Sequence, residues 1–337
     1  MFNFDPDRFV RIQSGAVEAG LALHQRVGGL LDDGLQSVHF AGAGGAGILM
    51  APAVQLLRER STLPAFIDAP AELVLSESVG LDERSLVVIP SLSGTTTESL
   101  EAARYCRQRG AKVLALTGDP SSPLAMQSDF NVSNEAADDT SCESFYLQSL
   151  CIALTVLQHR SEMDGVPEVL DELGTVPALL LAEKESFENQ VDPYVRQLDG
   201  NPFHIITGAG NCWPEAHYYG MCILEEMQWI RTRPVHASDF FHGTLELVEG
   251  DMSILVLKGE GAARGLAERV ERFVSDYSRK VLTLDSADAE LPGLSTLTRA
   301  LVAPAVLATM LERVSAHLEV VRDHPLSTRR YYRKVAY

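Results

Sequence analysis

The fold is decided by the segment Ser85-Leu-Val-Val-Ile-Pro-Ser-Leu-Ser-Gly-Thr-Thr-Thr-Glu-Ser99. Residues 86–89 form a short β-branched apolar run, which predicts a strand buried in a parallel sheet. Beyond the loop, apolar side chains recur at helical spacing, at Leu100, Ala103 and Cys106. The segment therefore predicts a buried strand, a hydroxyl-rich loop and the first turn of a helix.

Five of the seven loop positions from 91 to 97 carry hydroxyls: Ser91, Ser93, Thr95, Thr96 and Thr97. The first turn of a helix offers free N–H groups and the positive end of the dipole, so it attracts anions. One or two hydroxyls would suit ordinary helix caps, but five exceed that need. No lysine follows the glycine, so this is not a Walker A loop. We expect a phosphomonoester site here.

The composition narrows the possible partners and compartment. The chain has 337 residues, of which 46% are apolar, enough for two ordinary domains. A net charge of −18 argues against nucleic acid, because phosphate backbones require a basic surface. No apolar run approaches the ~18 residues of a membrane span, and the first residues do not resemble a signal peptide. Five cysteines without a C-x-x-C pair suit a reducing compartment. We expect a cytoplasmic protein.

Strands and helices alternate along the chain. This pattern predicts an α/β protein with doubly wound parallel sheets. Further strands are predicted at 38–41, 65–68, 112–117 and 131–134, and helices at 7–31, 47–58, 143–159 and 169–191.

The second half of the sequence repeats the first. Residues 203–210 resemble 38–44, residues 252–257 resemble the segment at 86, and residues 280–285 resemble 112–117. We predict two tandem flavodoxin-like domains, 1–192 and 193–337. The loop after the strand at 252–257 has no hydroxyl and carries Glu260, so a single phosphate site per chain is expected, in the first domain.

A second glycine motif needs weighing. Gly42, Gly44 and Gly47 form G-x-G-x-x-G, and Asp68 follows at the spacing of a dinucleotide fingerprint. The same glycines suit close packing at the first strand-to-helix turn of any doubly wound domain, and the hydroxyl loop has no role in a dinucleotide fold. We favour packing, expect no cofactor, and retain an NAD oxidoreductase as an alternative.

Two residues in the second half could move protons. Glu226 ends an apolar helix, where an apolar wall would raise its pKa and make it a usable base. His242 belongs to a residue type that titrates near neutrality. A surface glutamate and a loop histidine are the simpler interpretation. No His/Cys/Asp cluster has metal-ligand spacing, so no metal is expected.

These motifs together resemble the double SIS-domain (sugar isomerase) family. Ser91-Leu-Ser-Gly-Thr-Thr matches its S-x-S-G-x-T phosphate loop, and Glu226 and His242-Gly243 are separated by the interval found in the isomerase domain of glucosamine-6-phosphate synthase. Glu225 and Thr244 replace that enzyme's lysine and proline. Residues 225–229, 239–246 and the tail 324–337 most resemble the fructosamine-6-phosphate deglycases.

The resemblance implies roles for individual residues. Phosphate ligands would be Ser91, Ser93 and Thr96, and Ser141 would bind the sugar. Gly44 stands where the synthase has serine, so that contact is lost or made by a backbone N–H. Catalytic roles fall to three residues: Glu226 as the base between C1 and C2, His242 in ring opening, and Lys334, which aligns with a ring-opening lysine.

The implied reaction is hydrolysis of a 6-phosphorylated Amadori compound to glucose 6-phosphate and a free amine. The alternatives are an aldose–ketose isomerase, an ammonia-using hexosamine-phosphate deaminase, and a non-catalytic sugar-phosphate sensor. The family also implies a homodimer or larger assembly, in which the His-Gly segment enters the neighbour's site. We expect Phe240-Phe241 to form an exposed apolar patch that supports this interface.

Overall fold

The structure is a computed structural model that describes residues 1–136, 141–332 and 334–335, with the side chain of Ser141 outside the description. The chain divides into two compact units. The N-terminal unit contains Asp5–Ala178 and Gly293–Thr298, and the C-terminal unit contains Met1–Phe4, Leu179–Pro292 and Arg299–Tyr337. The division at 178–179 falls inside the helix Val176–Phe187, and the predicted domains 1–192 and 193–337 stay a prediction.

The N-terminal unit alternates helices and strands. Its elements are α1 (Pro6–Ala22), α2 (His24–Asp32), β1 (Ser37–Ala41), α3 (Gly45–Ile48), α4 (Ala51–Arg60), β2 (Ala65–Asp68), α5 (Pro70–Ser76), β3 (Ser85–Ser91), α6 (Thr97–Gln108), β4 (Lys112–Thr117), α7 (Pro123–Gln127), β5 (Phe130–Ser133), α8 (Ser141–His159) and α9 (Val166–Leu173). The strands form one parallel sheet in the order β2-β1-β3-β4-β5.

Strand β3 lies at the centre of this sheet. All seven of its residues are buried, and it pairs in parallel with β1 and β4. Val87 and Ile89 pack into a core with Ala102, Ala103 and Cys106 of α6. The order reverses between β1 and β3, and ligands of such sheets bind outside the carboxyl ends of the strands at this point. The Ser91 and Gly42 loops follow those two ends.

The C-terminal unit repeats the pattern. Its elements are α10 (Val176–Phe187, which begins in the N-terminal unit), α11 (Asp192–Asp199), β6 (His204–Gly208), α12 (Trp213–Tyr218), β7 (Thr232–His236), β8 (Ser253–Lys258), α13 (Arg264–Tyr277), β9 (Lys280–Asp285) and α14 (Thr296–Val321, which also begins in the N-terminal unit). The sheet is parallel, in the order β7-β6-β8-β9. This order matches β2-β1-β3-β4, which confirms the predicted α/β fold and its duplication.

Prolines account for two places where predicted helices are split. Pro52 lies in the first turn of α4 and Pro177 in the first turn of α10, where a missing N–H costs nothing. The predicted helices at 47–58 and 169–191 are therefore each two helices. The predicted helix at 7–31 also divides, at Leu23, whose N–H donates to the Gly20 carbonyl at 3.1 Å.

Helix α14 contains Pro304, which cannot donate to the carbonyl of Ala300 one turn earlier. The side-chain amide of Asn211 donates to that carbonyl at 2.8 Å instead. Among the described helices, α14 alone is long and apolar enough to cross a membrane, but 83% of its most apolar window is buried inside the protein. It has the character of a core helix.

Candidate functional site

The hydroxyl loop is built around a tight turn at Gly94. The Gly94 N–H donates to the Ser91 carbonyl at 3.0 Å, and Gly94 has a φ of +61°. A Cβ at this position would lie 2.2 Å from the Ser122 Oγ. Both the conformation and the space require glycine, which explains why it interrupts the run of hydroxyls.

The loop hydroxyls contact one another ahead of α6. Ser91 Oγ and Thr96 Oγ1 lie 3.3 Å apart, and Thr95 donates to Ser93 Oγ from its hydroxyl at 3.0 Å. Thr96 is the N-cap residue of α6, yet its side chain makes no capping hydrogen bond. The simple capping interpretation therefore fails for Thr96. Ser91, Ser93 and Thr96 are gathered at the start of a 12-residue helix, where an anion is stabilised.

The glycines of the other motif serve close packing. A Cβ on Gly42 would lie 2.5 Å from the backbone of Gly47, and one on Gly47 would lie 2.2 Å from the Gly42 carbonyl oxygen. Gly44 has a φ of +56° and a ψ of −133°, which a serine would adopt only with strain. The geometry therefore favours a backbone contact over a side-chain contact at Gly44.

Asp68, the acidic residue of the apparent dinucleotide fingerprint, has a structural partner. Its Oδ2 lies 2.9 Å from Nδ1 of the buried His39, whose Nε2 lies 3.2 Å from Ser37 Oγ. The Ser37 hydroxyl in turn donates to Ser85 Oγ at 2.9 Å. This network joins β1, β2 and the base of β3. Asp68 therefore has a structural role in the sheet that requires no bound nucleotide.

The equivalent crevice of the C-terminal unit is filled with ion pairs. Lys258 Nζ lies 2.9 Å from Glu271 and 3.1 Å from Asp285, and Arg264 Nη2 lies 2.6 Å from Asp285. Burial alone would raise the pKa of Asp285, but hydrogen bonds from Arg264, the Ala287 N–H and Lys258, together with the charge of Lys258, lower that pKa overall. These carboxylates and their partners form a closed structural network in place of a hydroxyl cradle.

Glu226 lies at the end of a π-helical segment, Tyr219–Glu225, which continues α12. Its Oε1 accepts a hydrogen bond from Arg329 Nε at 2.8 Å. Glu226 lines a cavity of about 920 Å³ in the C-terminal unit, and its side chain is 34% exposed. The carboxylate is thus accessible from this cavity and hydrogen-bonded to the guanidinium of Arg329.

Glu225, one position earlier, has a different environment. Its Oε1 accepts hydrogen bonds from the Thr232 hydroxyl at 2.7 Å and from the Thr232 N–H at 3.3 Å. These bonds anchor the start of β7 to the end of the π-helical segment. Glu225 is therefore a structural residue, although it also borders the cavity.

His242 is exposed in a short turn, Phe240–His242, with its N–H donating to the Asp239 carbonyl at 2.9 Å. It is not among the residues that line the Glu226 cavity. The prediction that Phe240 and Phe241 form an exposed apolar patch beside His242 is wrong. Phe240 is fully buried, and Phe241 packs against Phe273 and Arg269. The Phe240 and Phe241 rings therefore pack within the C-terminal unit and do not form an exposed interface patch.

Two further predicted residues stay untested by the geometry. Lys334 is exposed and lies outside the lining of the Glu226 cavity; its N–H donates to the Tyr331 carbonyl at 2.8 Å. Ser141 begins α8, but its side chain lies outside the described residues. The roles of both remain predictions.

Arg329 is the functional candidate that the sequence interpretation missed. It lies in the tail after α14, and its guanidinium reaches Glu226 across more than a hundred residues of sequence. In the sequence, the feature that could have identified Arg329 was the basic pair Arg329-Arg330 in a chain with 46 acidic and 28 basic residues. In the tail, the resemblance implied a role for one basic residue, Lys334.

Comparison with known proteins places the chain in a family. A SIS domain model matches residues 36–158. The fructosamine deglycase FrlB of Bacillus subtilis (strain 168) is 30% identical over 309 residues, which cover 90% of this chain and 93% of that protein. The chain belongs to the double SIS-domain sugar isomerase family.

Other SIS-domain proteins agree with this assignment. A fructoselysine 6-phosphate deglycase of Escherichia coli (strain K12) is 25% identical over 252 residues, covering 75% of this chain and 72% of that protein. A solved structure of a Bacillus subtilis protein described as a phosphosugar isomerase has a TM-score of 0.87 at 27% identity, covering 95% of this chain and 99% of that one. These two relatives are described as a deglycase and as a phosphosugar isomerase.

Proposed function

We propose that this SIS-domain protein is a fructosamine-6-phosphate deglycase, which hydrolyses a 6-phosphorylated Amadori compound to glucose 6-phosphate and a free amine or amino acid. The observation that carries the proposal is Glu226, which opens onto a cavity while its neighbour Glu225 is committed to Thr232. The 30% identity to a fructosamine deglycase over most of both chains supports the same reaction.

Binding begins with the phosphate. The hydroxyls of Ser91, Ser93 and Thr96 and the first N–H groups of α6 would surround its oxygens. These donors are neutral, and the whole chain carries a net charge of −18. Local hydrogen bonding and the helix dipole therefore supply the affinity, because the overall field of the protein opposes an anion.

The proton transfers would fall to Glu226. Its carboxylate removes a proton from C1 of the open-chain fructosamine, and the electron pair forms a C1–C2 double bond. The carbonyl π bond at C2 breaks, and the C2 oxygen takes a proton from His242 to give an enaminol. The same carboxyl returns a proton to C2, and the nitrogen lone pair forms a C1 imine. Water then adds to C1, and the carbon–nitrogen bond breaks to release the amine and leave the aldehyde of glucose 6-phosphate. One carboxylate on one face of the substrate suffices for both transfers.

Ring opening requires a separate acid–base group. We assign it to His242, with Lys334 assisting as the resemblance implies. Because His242 is exposed and does not line the cavity of its own chain, it would act in the site of a partner subunit. We therefore propose a homodimer or larger assembly with shared sites, in the cytoplasm.

Product analysis tests the assignment. The purified protein is incubated separately with 6-phosphofructosyl-lysine, glucosamine 6-phosphate and fructose 6-phosphate, and the products are identified by mass spectrometry. We expect glucose 6-phosphate and lysine from the first compound only. Conversion of fructose 6-phosphate to an aldose phosphate would establish an isomerase, and release of ammonia from glucosamine 6-phosphate would establish a deaminase.

A further inference from the structure

The Glu226 cavity has an unusual charge for this protein. It is lined by four arginines, Arg231, Arg322, Arg329 and Arg330, and by two glutamates, Glu225 and Glu226. The chain as a whole carries 46 acidic and 28 basic residues. A net positive cavity in so acidic a protein indicates a site for an anionic group.

Two of the four arginines are already neutralised. Arg322 Nη1 lies 2.9 Å from Asp199 Oδ1, and Arg329 Nε lies 2.8 Å from Glu226. Arg231 and Arg330 have no carboxylate within ion-pair distance in the part of the chain that the structure describes. Their two charges are therefore available to a ligand.

The positions of these two arginines are defined by their surroundings. The Arg330 guanidinium lies 4.2 Å from the centre of the Trp229 ring, a cation–π contact that holds it over the indole. Arg231 follows Ile230. The Arg231 carbonyl accepts the His204 N–H at 3.2 Å, which fixes the backbone of Arg231 to the start of β6. Trp229, Tyr331 and Tyr332 add aromatic surface to the same cavity.

The chemistry of the proposed reaction identifies the anion. Glu226 must reach C1, and the amine nitrogen is bonded to C1, so the amine half of the substrate lies beside Glu226. The phosphate is at C6, the opposite end of the sugar. A group that shares the Glu226 cavity therefore contacts the amine half, and guanidinium pairs bind carboxylates through parallel hydrogen bonds.

We propose that Arg231 and Arg330 bind the carboxylate of the amine half, so that the enzyme selects Amadori compounds of amino acids over those of uncharged amines. The rings of Trp229, Tyr331 and Tyr332 contact the remainder of the amino acid. This inference rests on the proposed deglycase function. An enzyme that only interconverts aldose and ketose phosphates has no amine half and no use for these arginines.

Binding of stable analogues tests the inference independently of turnover. The probes are N-(1-deoxy-6-phosphoglucitol-1-yl)glycine and its glycinamide counterpart, which differ only in a carboxylate or a neutral amide of similar size and lack the C2 ketone. Titration calorimetry should give the wild-type protein a Kd at least about tenfold lower for the glycine analogue, since a hydrogen bond to a charged group contributes roughly 1.5–3 kcal/mol. In Arg330→Gln and Arg231→Gln the preference should shrink toward unity.

Arg272→Gln, a change at an exposed arginine of α13 outside the cavity, is the matched control and should keep the full preference. Equal affinities for both analogues in the wild-type protein would overturn the proposal. So would a preference that survives both arginine changes, or an equal loss of affinity for both analogues, which would mean that the arginines bind the phosphate. If the preference is found but neither 6-phosphofructosyl-glycine nor 6-phosphofructosyl-lysine is hydrolysed, the carboxylate site stands and the deglycase function fails.

Discussion

At the scale of single residues, the hydrogen bonding of Thr96 distinguishes an anion-binding loop from an ordinary helix N-terminus. It holds the N-cap position of α6, but its hydroxyl lies 3.3 Å from Ser91 Oγ and leaves the helix uncapped by that side chain. A hydroxyl that forgoes a cap worth about 1 kcal/mol is available for a ligand. Ser93 lies in the same loop, where its Oγ accepts a hydrogen bond from the Thr95 hydroxyl.

Replacing Ser93 with alanine should therefore weaken substrate binding. The lost hydrogen bond to a charged phosphate contributes about 1.5–3 kcal/mol, so KM should rise roughly tenfold to a hundredfold. Steady-state kinetics measure the change. Ser121→Ala removes a hydroxyl that donates to Asp119 outside the loop and should leave KM unchanged. An unaltered KM in Ser93→Ala would place the phosphate elsewhere.

Glu226→Gln should lower kcat by roughly 10²–10⁴ with little change in KM, because it keeps the size of the side chain but removes the base. Glu225→Gln is the control for the register. Its loss should affect stability through Thr232 and leave kcat within severalfold of the wild type. If Glu225→Gln abolishes turnover and Glu226→Gln does not, the base has been misassigned by one residue.

Local pattern in the sequence was enough to locate the hydroxyl loop and the helix end at Glu226, whose roles remain predictions. The hydroxyl density of residues 91–97 and the position of Glu226 at a helix end were visible in the sequence. Arg329 was not, because its contact with Glu226 depends on the path of the tail rather than on spacing. The prediction that Phe240 is exposed failed for a related reason. Burial of a loop aromatic is decided by distant partners such as Phe273.

At the scale of elements, the strands with strong apolar runs were predicted within a residue or two, and β7 was missed. Thr232-Arg-Pro-Val-His236 has only one buried residue, Val235, and a proline that only an edge strand tolerates. The strand exists because β6 offers it a parallel partner from His204 to Gly208. Long-range pairing of this kind leaves no signature in a short sequence window.

In helix α14, a side-chain hydrogen bond from Asn211 replaces the one that Pro304 cannot donate, and this compensation can be tested. Asn211→Ala should destabilise the fold by about 1–3 kcal/mol, because the Ala300 carbonyl loses the donor that replaces the missing N–H of Pro304. Urea unfolding measures the change. In a Pro304→Ala background the helix regains its own N–H, so the same Asn211→Ala change should cost much less. Equal costs in both backgrounds would show that the Asn211 bond does not compensate for the proline.

Helix α10 carries a pH-dependent group. Burial raises the pKa of Glu183 to about 7, against the opposing effect of a hydrogen bond with the Glu290 main chain. The folded protein thus holds this proton more tightly than the unfolded chain. The associated stability is full below about pH 4.5 and is lost as the pH rises through 7.

Glu183→Gln should remove that loss. Urea unfolding at pH 5 and pH 8.5 should show that the wild type loses more stability than the variant over this interval, by on the order of 2 kcal/mol. Glu185→Gln, an exposed position on the same helix, should behave as the wild type does. Parallel losses in the wild type and in Glu183→Gln would mean that Glu183 is ionised in the fold at neutral pH.

At the scale of the whole molecule, the proposed mechanism requires active sites shared between subunits. Chains carrying Glu226→Gln and chains carrying His242→Ala are each expected to be inactive as homodimers. After the two are unfolded together and refolded, half of the dimers should be mixed, and each mixed dimer should contain one intact site. Activity should return to about one quarter of the wild-type value.

Light scattering on the same samples should report a dimer or larger assembly. The control is a mixture of Glu226→Gln chains with themselves, treated identically, which should stay inactive. A fully active monomer, or mixed dimers without recovered activity, would contradict a shared site and require His242 to act within its own chain.

The most direct test of the central claim is a time course that follows both products of one substrate. Wild-type protein and Glu226→Gln are incubated with 6-phosphofructosyl-glycine, and glucose 6-phosphate and free glycine are measured together by mass spectrometry. The account predicts that the wild-type protein releases the two products at the same rate and in equal amounts, and that Glu226→Gln releases neither above roughly one hundredth of that rate. Glucose 6-phosphate without glycine, or equal release by Glu226→Gln, would contradict it.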